Sequence, residues 1–61
     1  MKNEVFIMAA KYWSGQVCPK TANYGQYHDT DNQYAGKEYD RHVAKDERFP
    51  PSKNNHHFEE K

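Results

Sequence analysis

The stretch Tyr24-Gly25-Gln26-Tyr27-His28-Asp29-Thr30 decides the fold of this 61-residue chain. Written as an extended strand, it sends Tyr24, Gln26 and His28 to one side and Gly25, Tyr27 and Asp29 to the other. The residues that follow, Asp29-Thr30-Asp31-Asn32, carry side chains that close turns on their own backbone. A hairpin reversal is therefore expected there or at Ala35-Gly36.

Toward the C-terminus, residues 37–44 admit two readings. As a strand, Lys37, Tyr39, Arg41 and Val43 share one face. As a helix, Tyr39, His42, Val43 and Asp46 form a weak stripe, but Lys37–Arg41 and Arg41–Lys45 become repulsive neighbours one turn apart. The strand is preferred, with Lys45-Asp46-Glu47 as the turn after it. Phe49-Pro50-Pro51 must be extended, because proline biases its predecessor away from helical geometry. From Ser52 onward the chain is polar, and its last three residues are expected to fray.

Toward the N-terminus, Ser14-Gly15, Pro19 and Ala22-Asn23 punctuate a loop over residues 14–23. Before it lies the chain's one apolar concentration, Val5-Phe6-Ile7-Met8-Ala9-Ala10, continued by Tyr12-Trp13. Its aromatic and β-branched content reads as a strand. The expected fold is mainly β: a small antiparallel sheet of about three strands, near residues 4–12, 24–30 and 37–44. Phe49-Pro50 would pack across it, with room for one short helix and with a frayed C-terminal tail. The whole chain reads as a single domain, ordered over about residues 4–58.

Composition sets how such a fold can hold. Val5, Phe6, Ile7, Val17, Val43, Phe49 and Phe58 are its only Leu, Ile, Val or Phe residues, and Leu is absent. That share is below the roughly 20% under which disorder becomes a fair reading, but disorder usually also requires a high net charge. Here nine basic residues balance nine acidic ones, and nine aromatic residues are present. Each aromatic ring buries about 150–250 Å², so rings can replace the missing leucines. A domain this short buries only about 60% of its unfolded surface, so pairing with a second copy would add useful area.

The same numbers exclude several functions. Lys37, Arg41, Lys45 and Arg48 are interleaved with Glu38, Asp40, Asp46 and Glu47, which reads as a solvated face and not as a phosphate-binding surface. No nucleic-acid partner is expected. No apolar run approaches the roughly 20 residues of a membrane span. Cys18 is the only cysteine, which excludes an internal disulfide and fits a reducing, cytoplasmic setting.

Gly15-Gln16-Val17-Cys18-Pro19-Lys20-Thr21-Ala22-Asn23-Tyr24, followed by Phe49-Pro50-Pro51 and Asn55-His56, resembles the YjzC-like small uncharacterised bacterial proteins. Their pattern runs Gly-Gln, a small residue, Pro, then Tyr, Phe-Pro and an Asn-His cluster. The resemblance covers residues 12–58 and differs at Ala22, Asp46 and Phe58. It implies a bacterial or phage setting and carries no activity with it.

Three kinds of site compete. In the first, Trp13, Tyr24, Tyr27, Phe49 and Pro50 line an aromatic groove for an extended segment of a partner protein, as aromatic-lined grooves do for proline-rich ligands. In the second, Cys18, His28, His42 and His56 hold zinc, which would help an undersized core. Their spacing lacks the paired Cys-x-x-Cys or His-x-x-x-His of zinc modules, and adjacent His56-His57 in an extended segment point apart. In the third, Cys18 acts as a nucleophile with His28 or His42, but a chain this size has little room for a water-excluded pocket. The reading adopted is a non-enzymatic protein-interaction module without cofactor, with the metal-stabilised domain as its alternative.

Overall fold

The alternating stretch becomes the central strand. In the computed structural model, which describes residues 10–61, strand β1 spans Ala22–His28. It pairs antiparallel with β2 (Arg41–Val43) on one edge and with β3 (His56–Glu60) on the other, giving the order β2-β1-β3. The fold is mainly β: three antiparallel strands in one sheet, with a single 3-10 turn at Lys37–Tyr39 as the one helical piece among the described residues. No helix among those residues is long and apolar enough to cross a membrane.

The reversal after β1 falls at Asp29–Asn32, where Asn32 adopts a positive φ of 58° and its amide donates to the His28 carbonyl. The returning chain runs back beside β1, with Tyr34 opposite Tyr27 and the Ala35 amide bonded to the Gln26 carbonyl. It then leaves the sheet for the 3-10 turn and rejoins as β2. The strand expected over residues 37–44 is thus shortened to Arg41–Val43, paired through Ala22–Val43, Asn23–His42 and Tyr24–Arg41. Gln26 occupies the point where the chain departs. Fully buried, it donates to the Tyr39 carbonyl at 2.9 Å and accepts from the Lys53 amide at 2.8 Å. One side chain therefore satisfies backbone groups of two loops that have no strand partner there.

The polar end corrects the expected frayed tail. Residues 56–60 form β3, in register from Tyr24–Glu60 to His28–His56. Polarity concealed the strand because His57 and Glu59 are buried as partners of each other, and a paired polar group can be buried without the cost of an orphan. The strand expected near residues 4–12 lies outside the described residues except for its end. There Tyr12 pairs with Phe58 in both directions, its amide bonded to the Phe58 carbonyl and its carbonyl accepting the Phe58 amide.

Even-numbered residues of β1 and β3 face the core. Cys18, Tyr24, Val43, Phe49 and Phe58 are buried together, with Tyr12 and Ala22 packed against them. The rings interlock. Phe49 stacks on Tyr12 at 5.0 Å and on Phe58 at 5.2 Å, and meets Tyr24 edge to face at 4.9 Å. The lid over this layer is a small ribbon of two loops. Gly15 and Cys18 amides bond to the Phe49 and Glu47 carbonyls, and Phe49 and Asp46 amides bond back to Gln16 and Cys18. Its two tight points sit at Gly15 and Asp46, with φ of 87° and 74°. Glycine reaches that region without strain, and aspartate is among the few other residues that tolerate it.

Candidate functional site

Odd-numbered residues of the same strands build the opposite face. The register sets Tyr27 beside His57 and Gly25 beside Glu59. Alternation then brings Lys61, just past β3, to the same side. Tyr34 joins from the returning chain across the Tyr27 bridge, and Trp13 joins from beyond β3, next to Tyr12.

Four rings lie in a row across this face. Trp13 is 5.5 Å from His57, His57 is 6.2 Å from Tyr27, and Tyr27 is 5.3 Å from Tyr34. The row runs perpendicular to the strands, because each neighbour is a cross-strand partner and not a sequence neighbour. Its ends are open: Trp13 is 44% exposed and Tyr34 38%. Gly25 leaves room for the Tyr34 ring, which lies 2.9 Å from where a β-carbon on Gly25 would sit.

Carboxylates bracket the rings. His57 is fully buried, with Nδ1 2.7 Å from Asp29 Oδ1 and Nε2 2.7 Å from Glu59 Oε2. Both contacts are donated by the ring when both nitrogens carry protons, the imidazolium form. Asp29 also accepts from Trp13 Nε1 at 3.2 Å. The His57 hydrogen bond holds the Asp29 carboxyl below the usual carboxylate range, against the opposing effect of burial and with a lesser contribution from Trp13. At the other end, Tyr34 Oη donates to Asp40 Oδ1 at 2.7 Å. Lys61 Nζ donates to Tyr34 Oη at 2.7 Å and to Asp40 Oδ2 at 2.9 Å. Lys61 Nζ also lies 4.5 Å from the centre of the Tyr34 ring. The hydrogen bonds that Tyr34 and Lys61 donate lower the Asp40 pKa, and those that Lys61 donates to Tyr34 and Asp40 raise its own.

The residues expected to line one aromatic groove divide between the two faces. Trp13 and Tyr27 stand in the ring row. Tyr24 and Phe49 are 1% and 2% exposed in the core, and Pro50 is half-buried beside Phe49. The division follows from the period of a strand: Tyr24 and Tyr27 are three apart and so cannot share a face.

The four expected zinc ligands also separate. Cys18 is fully buried, and its thiol faces the Lys20 carbonyl at 3.0 Å and Tyr24 Oη at 3.3 Å. His42 lies on β2 against Asn23 Oδ1 at 2.9 Å. His28 and His56 alone adjoin, as a cross-strand pair at the far end of β1. No cluster of three or more His, Cys, Asp or Glu side chains is arranged for a metal ion among the described residues.

The residues that sequence reasoning missed are His57, Glu59, Tyr34, Asp40 and Lys61. A signal for two of them was present. In His57-Phe58-Glu59 a central apolar ring flanked by two polar side chains has the period of a strand with a core side and a polar side. Tyr34, Asp40 and Lys61 gave none, because 27 residues separate Tyr34 from Lys61 and only the sheet brings them together. No protein-family model, curated protein or solved structure matches the chain.

Proposed function

We propose that the chain is a non-enzymatic protein-interaction module whose docking surface is the accessible part of the ring row, the exposed Trp13 and Tyr34 with the half-buried Tyr27, on a floor formed by the buried His57. The observation that carries this reading is the row itself: aromatic rings on the face away from the core, exposed at both ends. Tryptophan and tyrosine dominate the energetics of protein interfaces because they offer large rigid area with a polar tip.

Binding is favoured over catalysis by how the reactive groups are engaged. Both His57 nitrogens face carboxylates, which leaves neither for a substrate proton. The Cys18 thiol is buried among a carbonyl, a phenol and the core. The setting that goes with this reading is the bacterial or phage-infected cytoplasm.

Trp13→Ala and Tyr34→Ala, alone and together, test the proposal against Lys37→Ala, an exposed change on the 3-10 turn. Cross-linked capture from bacterial lysate, with proton–nitrogen spectra to verify folding, should recover one protein with the parent chain and Lys37→Ala. Each ring variant should lower its yield at least about tenfold, as loss of an interface hot spot of about 1.4 kcal/mol or more does. Recovery of the same protein by the folded double variant would end the proposal, as would no protein above background with the parent.

A further inference from the structure

We infer that His28 and His56 form a two-imidazole site for a first-row divalent transition-metal cation, separate from the ring row. The pair is cross-strand, His28 in β1 directly opposite His56 in β3, with both side chains on the face that carries the core, beyond its end. The ring centres are 5.0 Å apart. With a zinc–nitrogen distance of about 2.0–2.1 Å and a ring centre roughly 1.2 Å behind the nitrogen, two imidazoles on one tetrahedral ion have centres about 5 Å apart. The backbone therefore already holds the two rings at ligand spacing. The rings now meet edge to face at 88°. Both residues are half-buried, so an ion reaches the pair from solvent.

The surroundings of the inner nitrogens support the same assignment. A ligating histidine usually gives its other ring proton to a carbonyl or carboxylate, which fixes the tautomer and strengthens the ligand. His56 Nδ1 lies 2.7 Å from the Asn54 carbonyl oxygen, an acceptor only, so Nδ1 is the donor there and Nε2 is the nitrogen left to face an ion. His28 Nδ1 lies 2.8 Å from Thr30 Oγ1 and 3.4 Å from Asp31 Oδ1. Either oxygen can accept a hydrogen bond from Nδ1–H when Nε2 faces a metal. The Thr30 amide also approaches Nδ1, at 3.3 Å, but this long contact is weak beside the shorter hydroxyl and gives way to the tautomer that ligation selects.

Two protein ligands make an open, exchangeable site, with water completing the shell. Half-saturation is expected between about 10 µM and 1 mM, weaker than four-ligand structural zinc. The ion would tie the end of β1 to the start of β3, beside the Asp29–Asn32 reversal.

Zinc chloride titrated into the full chain, followed by histidine ring resonances, tests the site. The expected result is saturable one-to-one shifts at His28 and His56, with His42 and His57 unmoved. His28→Asn and His56→Asn should each weaken binding at least about tenfold, and His42→Asn should leave it unchanged. If one variant fails to fold, the other and the parent resonances decide. No saturable shift by about 1 mM zinc would overturn the inference, as would equal affinity in a folded His28→Asn or His56→Asn chain, or saturation centred on His42.

Discussion

His57 is the residue on which the second face turns. Its side chain is inaccessible, yet it touches two carboxylates, Trp13 and Tyr27. A buried ionic group does little for stability relative to a well-packed apolar one, but removing one partner leaves the others stranded. His57→Ala sets Asp29 and Glu59 facing each other across an empty space and removes the ring between Trp13 and Tyr27. Combining cavity and stranded charge, the expected cost is about 3 kcal/mol, most of what a domain of this size possesses. Urea unfolding should show the midpoint collapse. His57→Gln fills part of the space and can still donate to one carboxylate, so it should cost less. Equal stability of His57→Ala and the parent would mean that the bracketed imidazole contributes nothing. The histidine was legible in the sequence only as one of an adjacent pair. Whether a histidine is a surface group or the buried centre of a network depends on carboxylates 28 residues away and two residues away at once.

At the scale of elements, β3 is the strand that completes both faces. Phe58 stacks on Phe49 and pairs through its backbone with Tyr12 and with Gln26 of β1. His57 and Glu59, on either side of it, build the ring row. Phe58→Ala should therefore cost about 3–5 kcal/mol, the range for truncating a fully buried phenylalanine. The change should unfold the chain or leave it molten, read as loss of dispersion in a proton–nitrogen spectrum. Phe58→Leu, which keeps most of the volume, should stay folded. A dispersed spectrum for Phe58→Ala would show that the core closes without β3. The reversal after β1 was legible as one of two places, Asp29–Asn32 or Ala35-Gly36, because turn chemistry acts through local backbone geometry. The length of β2 was not. The strand pattern of residues 37–44 is cut short by Gln26, which captures the Tyr39 carbonyl from a distance of 13 residues.

For the whole molecule, charge links stability to pH at both ends of the scale. Asp29 and Asp40 have folded pKa values below the ordinary 3.8, held down first by the hydrogen bonds from His57 and Tyr34 respectively. A depressed carboxyl favours the fold at pH values above its unfolded pKa, and that contribution fades as pH falls through the lower folded value. At the other extreme, burial raises the phenols of Tyr24 and Tyr27 above the ordinary 10.0. Hydrogen bonds to Tyr34 and Asp40 raise Lys61 above the ordinary 10.5, and one to Glu60 raises Lys20. Raised groups contribute fully below their unfolded pKa and lose that contribution as pH rises through the folded value. Thermal midpoints should therefore hold a plateau through neutral pH, fall below about pH 4 and fall again above about pH 10. Asp40→Asn should make the acid fall shallower and remove much of the Lys61 share of the alkaline fall. An acid limb unchanged in both Asp29→Asn and Asp40→Asn chains would contradict this assignment.

The sequence by itself determined that the fold is a small antiparallel sheet, that it reverses at Asp29–Asn32 or at Ala35-Gly36, and that aromatic rings stand in for the absent leucines. Each of these follows from alternation, turn chemistry or composition, which act over a few residues or over the chain as an average. Only the tertiary structure decided which rings enter the core, that the polar C-terminal segment is a strand, and that Trp13, His57, Tyr27 and Tyr34 form one row. Those outcomes rest on register. A shift of one residue in the pairing of β1 with β3 would exchange Phe58 for His57 at the core, and register is settled by contacts between residues far apart in the chain.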